Sequence, residues 1–188
     1  MVHEVDAVTG LMDVARGECV AFSGYRPEKM ERSFRRGGDE SSVCAAIRDE
    51  VILRYENGAR MFLSGMAEGF DLWAAREVVR LVREGVCPAA GLVAVVPYRG
   101  QAAGYSPVFG KMYEEMLEAA SRVAVLSERY YKDCFLRRND WLVDNASVLI
   151  CYYDGLPGGT RYTVRRAVRE RLSVVNLCDR ELPLFRRY

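Results

Sequence analysis

Six short apolar runs recur along the chain and are separated by longer stretches of mixed polarity. The runs span residues 19–22, 61–63, 92–96, 123–126, 148–152 and 174–177. They are nearly continuous rather than alternating, which is typical of strands that are covered on both faces, as in a parallel sheet. The pattern therefore predicts a mostly parallel central sheet of about six strands.

The stretches between the runs predict amphipathic helices that cover this sheet. Their apolar stripes are Val43, Ile47 and Val51; Phe70, Trp73, Ala74, Val78 and Leu81; Val108, Met112 and Met116; and Val164, Ala167, Val168 and Leu172. A weaker helix is expected over residues 133–144, with Trp141 and Leu142 in the core. This alternation predicts right-handed βαβ units and an α/β three-layer sandwich.

The pattern contains no internal repeat and no domain boundary, so we expect a single domain over residues 1–188. Residues 1–16 are interpreted as an N-terminal extension and residues 180–188 as a basic C-terminal tail. Neither a secretory signal nor a membrane-spanning apolar run is predicted, which favours a cytoplasmic protein.

Charge and residue counts narrow the classes of function. The formal net charge is only +1, so binding of nucleic acid by overall charge is not favoured. Binding through a local basic face is an alternative that the sequence leaves open. The six cysteines are widely spaced without a CxxC pair, which is typical of buried apolar side chains in a reducing compartment. His3 is the one histidine, so neither a zinc site nor a histidine base is predicted.

The loops after the predicted strands hold the candidate chemistry, because ligands bind beyond the carboxyl ends of strands in open parallel sheets. Two of these loops enter predicted helices through paired glycines, Gly65 with Gly69 and Gly158 with Gly159. Backbone N–H groups and the helix dipole favour phosphate at such a start, and Thr160 can cap its helix or contact a phosphate oxygen. Two such starts predict a ligand that is held from two sides.

Other polar and aromatic residues complete the predicted site. Gly24 allows a sharp turn, Tyr25 can stack on a base or ribose, and Arg26 can pair with a phosphate. Asp71 is interpreted as a first-turn helix carboxylate or as a partner of a ribose hydroxyl, and Glu68 can act in the same ways. The remaining candidate ligand-binding residues are Ser64, Tyr98, Arg138 and Asn139.

Four of these segments together resemble the YpsA-like branch of the SLOG superfamily. They are residues 23–27, residues 64–75, Arg138-Asn139 with Val143-Asp144, and residues 149–154, and the resemblance extends over about residues 18–178. It implies a Rossmann-like fold and a pocket for nucleotide-derived ligands. Relatives in the wider superfamily include DprA, which loads recombinase on single-stranded DNA, and the LOG phosphoribohydrolases.

The LOG signature PGGxGTxxE is matched only in part, by Pro157 to Arg165. One glycine is missing and Arg165 stands where the signature has its glutamate, which argues against phosphoribohydrolase activity. The leading hypothesis is therefore binding or sensing of a nucleotide-derived ligand such as NAD, ADP-ribose or a nucleoside monophosphate. A homo-oligomer is left open.

Two further hypotheses stay open. The first is an enzyme that cuts an N-glycosidic bond in a nucleotide, with Glu68 or Asp71 as the catalytic carboxylate. The second is DprA-like binding of single-stranded DNA through Arg161, Arg165 and Arg169 on the predicted last helix.

Overall fold

The computed structural model describes residues 3–4, 14–34 and 39–178. The predicted C-terminal tail at 180–188 lies outside these ranges, as does most of the predicted N-terminal extension.

The centre of the molecule is a parallel sheet that contains all six predicted strands. A short edge strand, which was not predicted, joins it. The strands are β1 (His3–Glu4), β2 (Cys19–Ser23), β3 (Met61–Ser64), β4 (Gly91–Val96), β5 (Arg122–Val125), β6 (Val148–Cys151) and β7 (Ser173–Asn176). Their order is β1-β5-β4-β3-β2-β6-β7, and every pair is parallel.

Helices follow the strands along the chain. They are α1 (Pro27–Phe34), α2 (Glu40–Glu56), α3 (Phe70–Arg83), α4 (Pro107–Ala119), α5 (Cys134–Asp144) and α6 (Gly159–Arg169). Short 3-10 turns span Arg16–Glu18 and Gln101–Gly104. Helix α1 was not predicted. Its signal is Pro27 at the first helical position, where a missing N–H costs nothing.

Most of the predicted apolar stripes are buried against the sheet, but two predicted core residues are wrong. Val108 is 71% exposed because α4 begins at Pro107 and Val108 lies in its first turn, while Tyr113 and Met116 supply the buried face. Val168 is 42% exposed because the buried face of α6 is centred on Val164 and Ala167.

All six cysteines are free and buried, as their spacing predicted.

The order of the strands reverses at β2, and this reversal positions the candidate site. The chain moves outwards from β2 through β3 and β4 to β5, and then returns to pair β6 on the opposite side of β2. In the β2–β6 pair Ser23 lies opposite Cys151, so both strands end at the same level of the sheet. The connections leaving β2 and β6 diverge here and leave a crevice between them, as at the ligand sites of doubly wound folds.

Candidate functional site

A cavity of about 350 Å³ lies at this reversal, at the carboxyl ends of the strands. Four separate segments form its walls, and three of the predicted loops and part of α5 meet there. The lining residues are Ser23, Gly24, Tyr25, Arg26, Glu28, Lys29, Ala67, Asp71, Phe135, Arg138, Asn139, Gly159 and Thr160.

The start of α6 forms one wall of the cavity. Gly158 precedes the helix with φ of 146°, a conformation that favours glycine, and no side chain caps the helix. The Thr160 hydroxyl donates a hydrogen bond to the Gly24 carbonyl at 2.9 Å, so it joins α6 to the loop after β2. A Cβ atom at Gly159 would meet only Asn139 Nδ2, at 3.8 Å. The positive end of the α6 dipole therefore borders open space in the cavity.

A buried ion pair supports the opposite wall. Asp71 and Arg138 are 6% and 5% exposed, and Arg138 Nη1 lies 3.7 Å from Asp71 Oδ2. The other carboxylate oxygen, Asp71 Oδ1, accepts a hydrogen bond from the Gly24 N–H at 3.2 Å. Burial raises the pKa of Asp71 above its ordinary value and lowers the pKa of Arg138, while the attraction between the two charges opposes both shifts.

Arg138 also fixes the orientation of its neighbour Asn139. Its guanidinium donates to the Gly65 carbonyl and, through Nε, to Asn139 Oδ1 at 2.8 Å. Asn139 is 8% exposed, and its Nδ2 has no hydrogen-bond partner in the described part of the chain. The Ser23 hydroxyl, on a residue that is 7% exposed, is likewise unpartnered among these residues. Both groups line the cavity and are available to a ligand.

Tyr25 is part of the cavity wall, with its ring 3% exposed. Its hydroxyl donates to Asp154 Oδ1 at 2.5 Å and accepts from the Asp154 N–H at 3.3 Å. Lys29 Nζ lies 5.3 Å from the centre of the Tyr25 ring and donates to the Pro157 carbonyl at 2.8 Å. Burial and the bond to Asp154 raise the pKa of Tyr25. These contacts fasten the loop after β6 to the loop after β2.

Gly65, Gly69 and Ser64 lie behind the cavity wall. A Cβ atom at Gly65 would overlap the Arg138 guanidinium. Gly69 has φ of 86°, and a Cβ atom there would lie 2.7 Å from the Tyr25 carbonyl oxygen. The Ser64 hydroxyl donates to the Asp71 carbonyl at 2.8 Å. These residues pack the site from beneath, and none of them lines the cavity.

Three other predicted residues lie beside the cavity. Tyr98 contacts Phe135, with 6.0 Å between ring centroids. Glu68 accepts a hydrogen bond from the Ser106 N–H at 2.9 Å and does not line the cavity. Gly158 lines a neighbouring groove.

Sequence reasoning missed five residues that line the cavity: Ser23, Glu28, Lys29, Ala67 and Phe135. Pro27 directly after the first loop is the signal that would have placed Glu28 and Lys29 in the first turn of a helix. No comparable signal marks Phe135, because its position depends on how α5 packs.

The neighbouring groove, of about 400 Å³, runs along α6. It is lined by Gly158, Arg161, Tyr162, Arg165, Arg166 and Arg169. Arg166 pairs with Asp140 and Asp144, at 3.1 and 2.6 Å, and Arg169 pairs with Glu170 at 3.3 Å.

Arg161 and Arg165 make no ion pair within the described residues. Their positive charges are therefore not neutralised by that part of the chain.

A search of the described ranges found no cluster of three or more His, Cys, Asp or Glu side chains that could hold a metal ion. Among the same residues, no helix is both long and apolar enough to span a membrane.

Comparison with known proteins identifies the family. The model of the YpsA family, described as the YspA SLOG family, matches residues 20–175. The chain belongs to the YpsA family.

Two relatives of this YpsA-family protein are UPF0398 proteins. One, BH1768 of Halalkalibacterium halodurans, is 25% identical over 155 residues, which are 81% of each chain. The other, from Bacillus pumilus, is 22% identical over 151 residues, 79% of this chain and 80% of the relative.

Solved structures similar to this YpsA-family protein include two DprA proteins. DprA of Streptococcus pneumoniae aligns with a TM-score of 0.59 and 20% identity, over 93% of this chain and 55% of that one. DprA of Helicobacter pylori, whose structure is described as showing a single-stranded DNA binding mode, aligns with a TM-score of 0.55 and 20% identity, over 86% and 66%. The chain thus spans less than two thirds of either protein. The likeness confirms the Rossmann-like α/β fold.

Proposed function

We propose that this YpsA-family protein binds a nucleotide-derived, phosphate-bearing small ligand in the cavity at the β2–β6 reversal. One observation carries the proposal: the unpartnered polar groups of Ser23 and Asn139 line the same cavity as the uncapped start of α6. Because neither group is bonded within the described part of the chain, a ligand in the cavity can bond to both without breaking a contact of the protein. A phosphate suits this position because the helix dipole and the Asn139 amide both favour an anion.

The size and charge of the cavity favour a small ligand. Its volume of about 350 Å³ is at the lower end of the range for ligand pockets. A nucleoside monophosphate fits this volume, whereas NAD or ADP-ribose would extend beyond it. Arg26 and Lys29 at the rim add positive charge that attracts such an anion.

Binding or sensing is favoured over cleavage of a glycosidic bond. Asp71 has one carboxylate oxygen bonded to the Gly24 N–H and the other facing Arg138, and Glu68 is outside the cavity. Neither carboxylate is free to stabilise a cationic sugar. Glu28 does line the cavity, but it is solvent-exposed in the first turn of α1.

The test is calorimetric titration with AMP, GMP, CMP, UMP, ADP-ribose and NAD, on the wild-type protein and a Gly159→Ala variant. The added methyl group makes only an ordinary contact with Asn139, so the fold accommodates it. It occupies the space between the Asn139 amide and the helix start, where the phosphate is expected. We expect affinity for the nucleotides to fall by about tenfold or more, equivalent to about 1.4 kcal/mol.

Gly110→Ala in α4 is the matched control, because a Cβ atom there has no neighbour within 4 Å. It makes the same chemical change in a helix without touching the cavity, and we expect unchanged binding. Absence of binding to the whole panel, or equal affinities for wild type and Gly159→Ala, would show that the phosphate site is assigned wrongly.

A second candidate function, binding of single-stranded nucleic acid, is supported by the groove along α6. Arg161 and Arg165 lie four residues apart on one helix face, and both are without ion pairs in the described ranges. Cations that attract phosphates along a strand give affinity that falls steeply with salt.

Fluorescence anisotropy of a labelled single-stranded oligonucleotide tests this candidate function. We expect the double substitution Arg161→Gln/Arg165→Gln to weaken binding and to reduce its salt dependence. The matched control is Arg137→Gln, an exposed arginine on α5 outside the groove. No binding by the wild type at low salt would exclude this function while leaving the small-ligand proposal intact.

A further inference from the structure

Three aromatic rings form a cluster at the edge of the cavity. Phe135 lines the cavity and contacts Tyr98 and Tyr130, with ring centroids 6.0 and 6.5 Å apart. Tyr98 and Tyr130 contact each other edge to face at 5.5 Å. Tyr130 is 64% exposed. The cluster therefore presents aromatic surface directly beside the cavity.

Arg26 lies over the ring of this cluster that lines the cavity. Its Cζ lies 5.9 Å from the centroid of the Phe135 ring. This distance is just inside the about 6 Å at which a guanidinium interacts with an aromatic face, so the two groups make a cation–π contact at the outer end of its range. A planar group between them would need about 7 Å, twice the contact distance. The Arg26 side chain is exposed and has no hydrogen bond or ion pair in the described part of the chain, so its guanidinium can move outwards by the remaining ~1 Å.

We propose that the nucleobase of the bound ligand enters between the Arg26 guanidinium and the Phe135 ring. This inference rests on the proposed function and specifies the orientation of the ligand. Phe135 lies one turn of α5 before Asn139, whose amide faces the phosphate position, so the two residues are about 6 Å apart along the helix axis. The separation suits a nucleotide, whose ribose spans the distance between phosphate and base.

The geometry gives Arg26 a different role from the phosphate contact that the sequence predicted. Arginine planes and aromatic rings both stack on bases, and this stacking tolerates every base. Tyr98 and Tyr130 pack against the Phe135 ring. We therefore expect contact with the base to raise affinity without strong preference among the four bases.

The experiment compares ligands with and without a base. AMP, GMP, CMP, UMP and ribose 5-phosphate are titrated calorimetrically into wild type, Phe135→Leu, Arg26→Lys and the control Arg137→Lys. Leucine removes the aromatic face, and lysine keeps the charge of Arg26 but removes its plane. We expect the wild type to bind the nucleotides more tightly than ribose 5-phosphate. Each test variant should weaken nucleotide binding by about 5- to 150-fold and leave the affinity for ribose 5-phosphate unchanged. The control variant should leave the affinities for both kinds of ligand unchanged.

Three outcomes overturn the inference. Equal wild-type affinities for nucleotides and ribose 5-phosphate would show that the base is not contacted, while the phosphate site of the proposed function would stand. If Arg26→Lys weakened the binding of both ligand types equally, Arg26 would be shown to contact the phosphate and not the base. No binding of either ligand type would reject both the inference and the proposed function.

Discussion

The Asp71–Arg138 ion pair gives a stability prediction that does not depend on the ligand. Arg138→Met keeps a long apolar side chain on α5 but leaves the Asp71 carboxylate buried without its cation. Two charges 3.7 Å apart attract each other by about 4–5 kcal/mol at an effective dielectric constant near 20. Removing one partner of a buried pair typically costs about 3–5 kcal/mol. We therefore expect the free energy of unfolding to fall by about 3–5 kcal/mol near pH 8.

The cost should depend on pH and on Asp71. Without Arg138, burial holds the pKa of Asp71 further above its ordinary value, because the main opposing charge is gone. An acid whose pKa is raised by folding contributes stability below its unfolded pKa and loses it as the pH rises through the folded pKa. The stability of Arg138→Met should thus recover towards about pH 4. Adding Asp71→Asn should remove this pH dependence and restore part of the loss near pH 8.

Urea unfolding measures these effects through the fluorescence of Trp73 and Trp141, at several pH values between about 4 and 8. Arg137→Met is the matched control, because it removes an exposed arginine at the adjacent position of the same helix. The reasoning would be refuted if Arg138→Met lowered the free energy of unfolding by less than about 1 kcal/mol, or if adding Asp71→Asn restored none of the loss. Either result would show that the buried carboxylate does not need its cation.

Three further predictions concern single residues. Tyr25→Phe removes the hydrogen bond to Asp154, which should lower the free energy of unfolding by about 1.5–3 kcal/mol in a urea titration, and an unchanged value would contradict the contact. Gly69→Val should destabilise the fold as well as weaken binding, because φ is 86° and Cβ would meet the Tyr25 carbonyl; a thermal melt that matches the wild type would argue against this packing. Burial raises the pKa of the Cys19 thiol from 9.0 to about 11. The free energy of unfolding should therefore fall as the pH rises from 9 through 11. Urea titrations at alkaline pH should show a smaller fall for Cys19→Ala.

The sequence was sufficient to predict the strands and the edge of the sheet at which the cavity lies. Continuous apolar runs identify buried parallel strands, and all six were found with each bound shifted by at most one residue. The carboxyl-end rule then brings Gly24, Asp71 and Gly159 to one side before any coordinates are known. These predictions succeed because they depend on local pattern and on the chirality of the fold.

The direction of each side chain could not be predicted. Tyr25 follows a glycine in a loop, and nothing local distinguishes a ring that faces a ligand from one that bonds to Asp154, which lies 129 residues away along the chain. Gly65 matched the pattern of a phosphate loop, but its small size is required by the Arg138 side chain, which comes from α5. Such roles depend on contacts between distant segments, for which one sequence contains no direct signal.

The hydrogen bond between Thr160 and Gly24 has a consequence for how the protein is made. It closes the cavity between residues 136 positions apart, and β6 reaches its place beside β2 only after β3, β4 and β5 have been synthesised. Contacts this distant in sequence form late, because a long loop must close before they can contribute. A growing chain that has emerged only through β5 lacks the α6 wall. The proposed ligand would thus bind only chains synthesised and folded through α6, and it would stabilise that state alone.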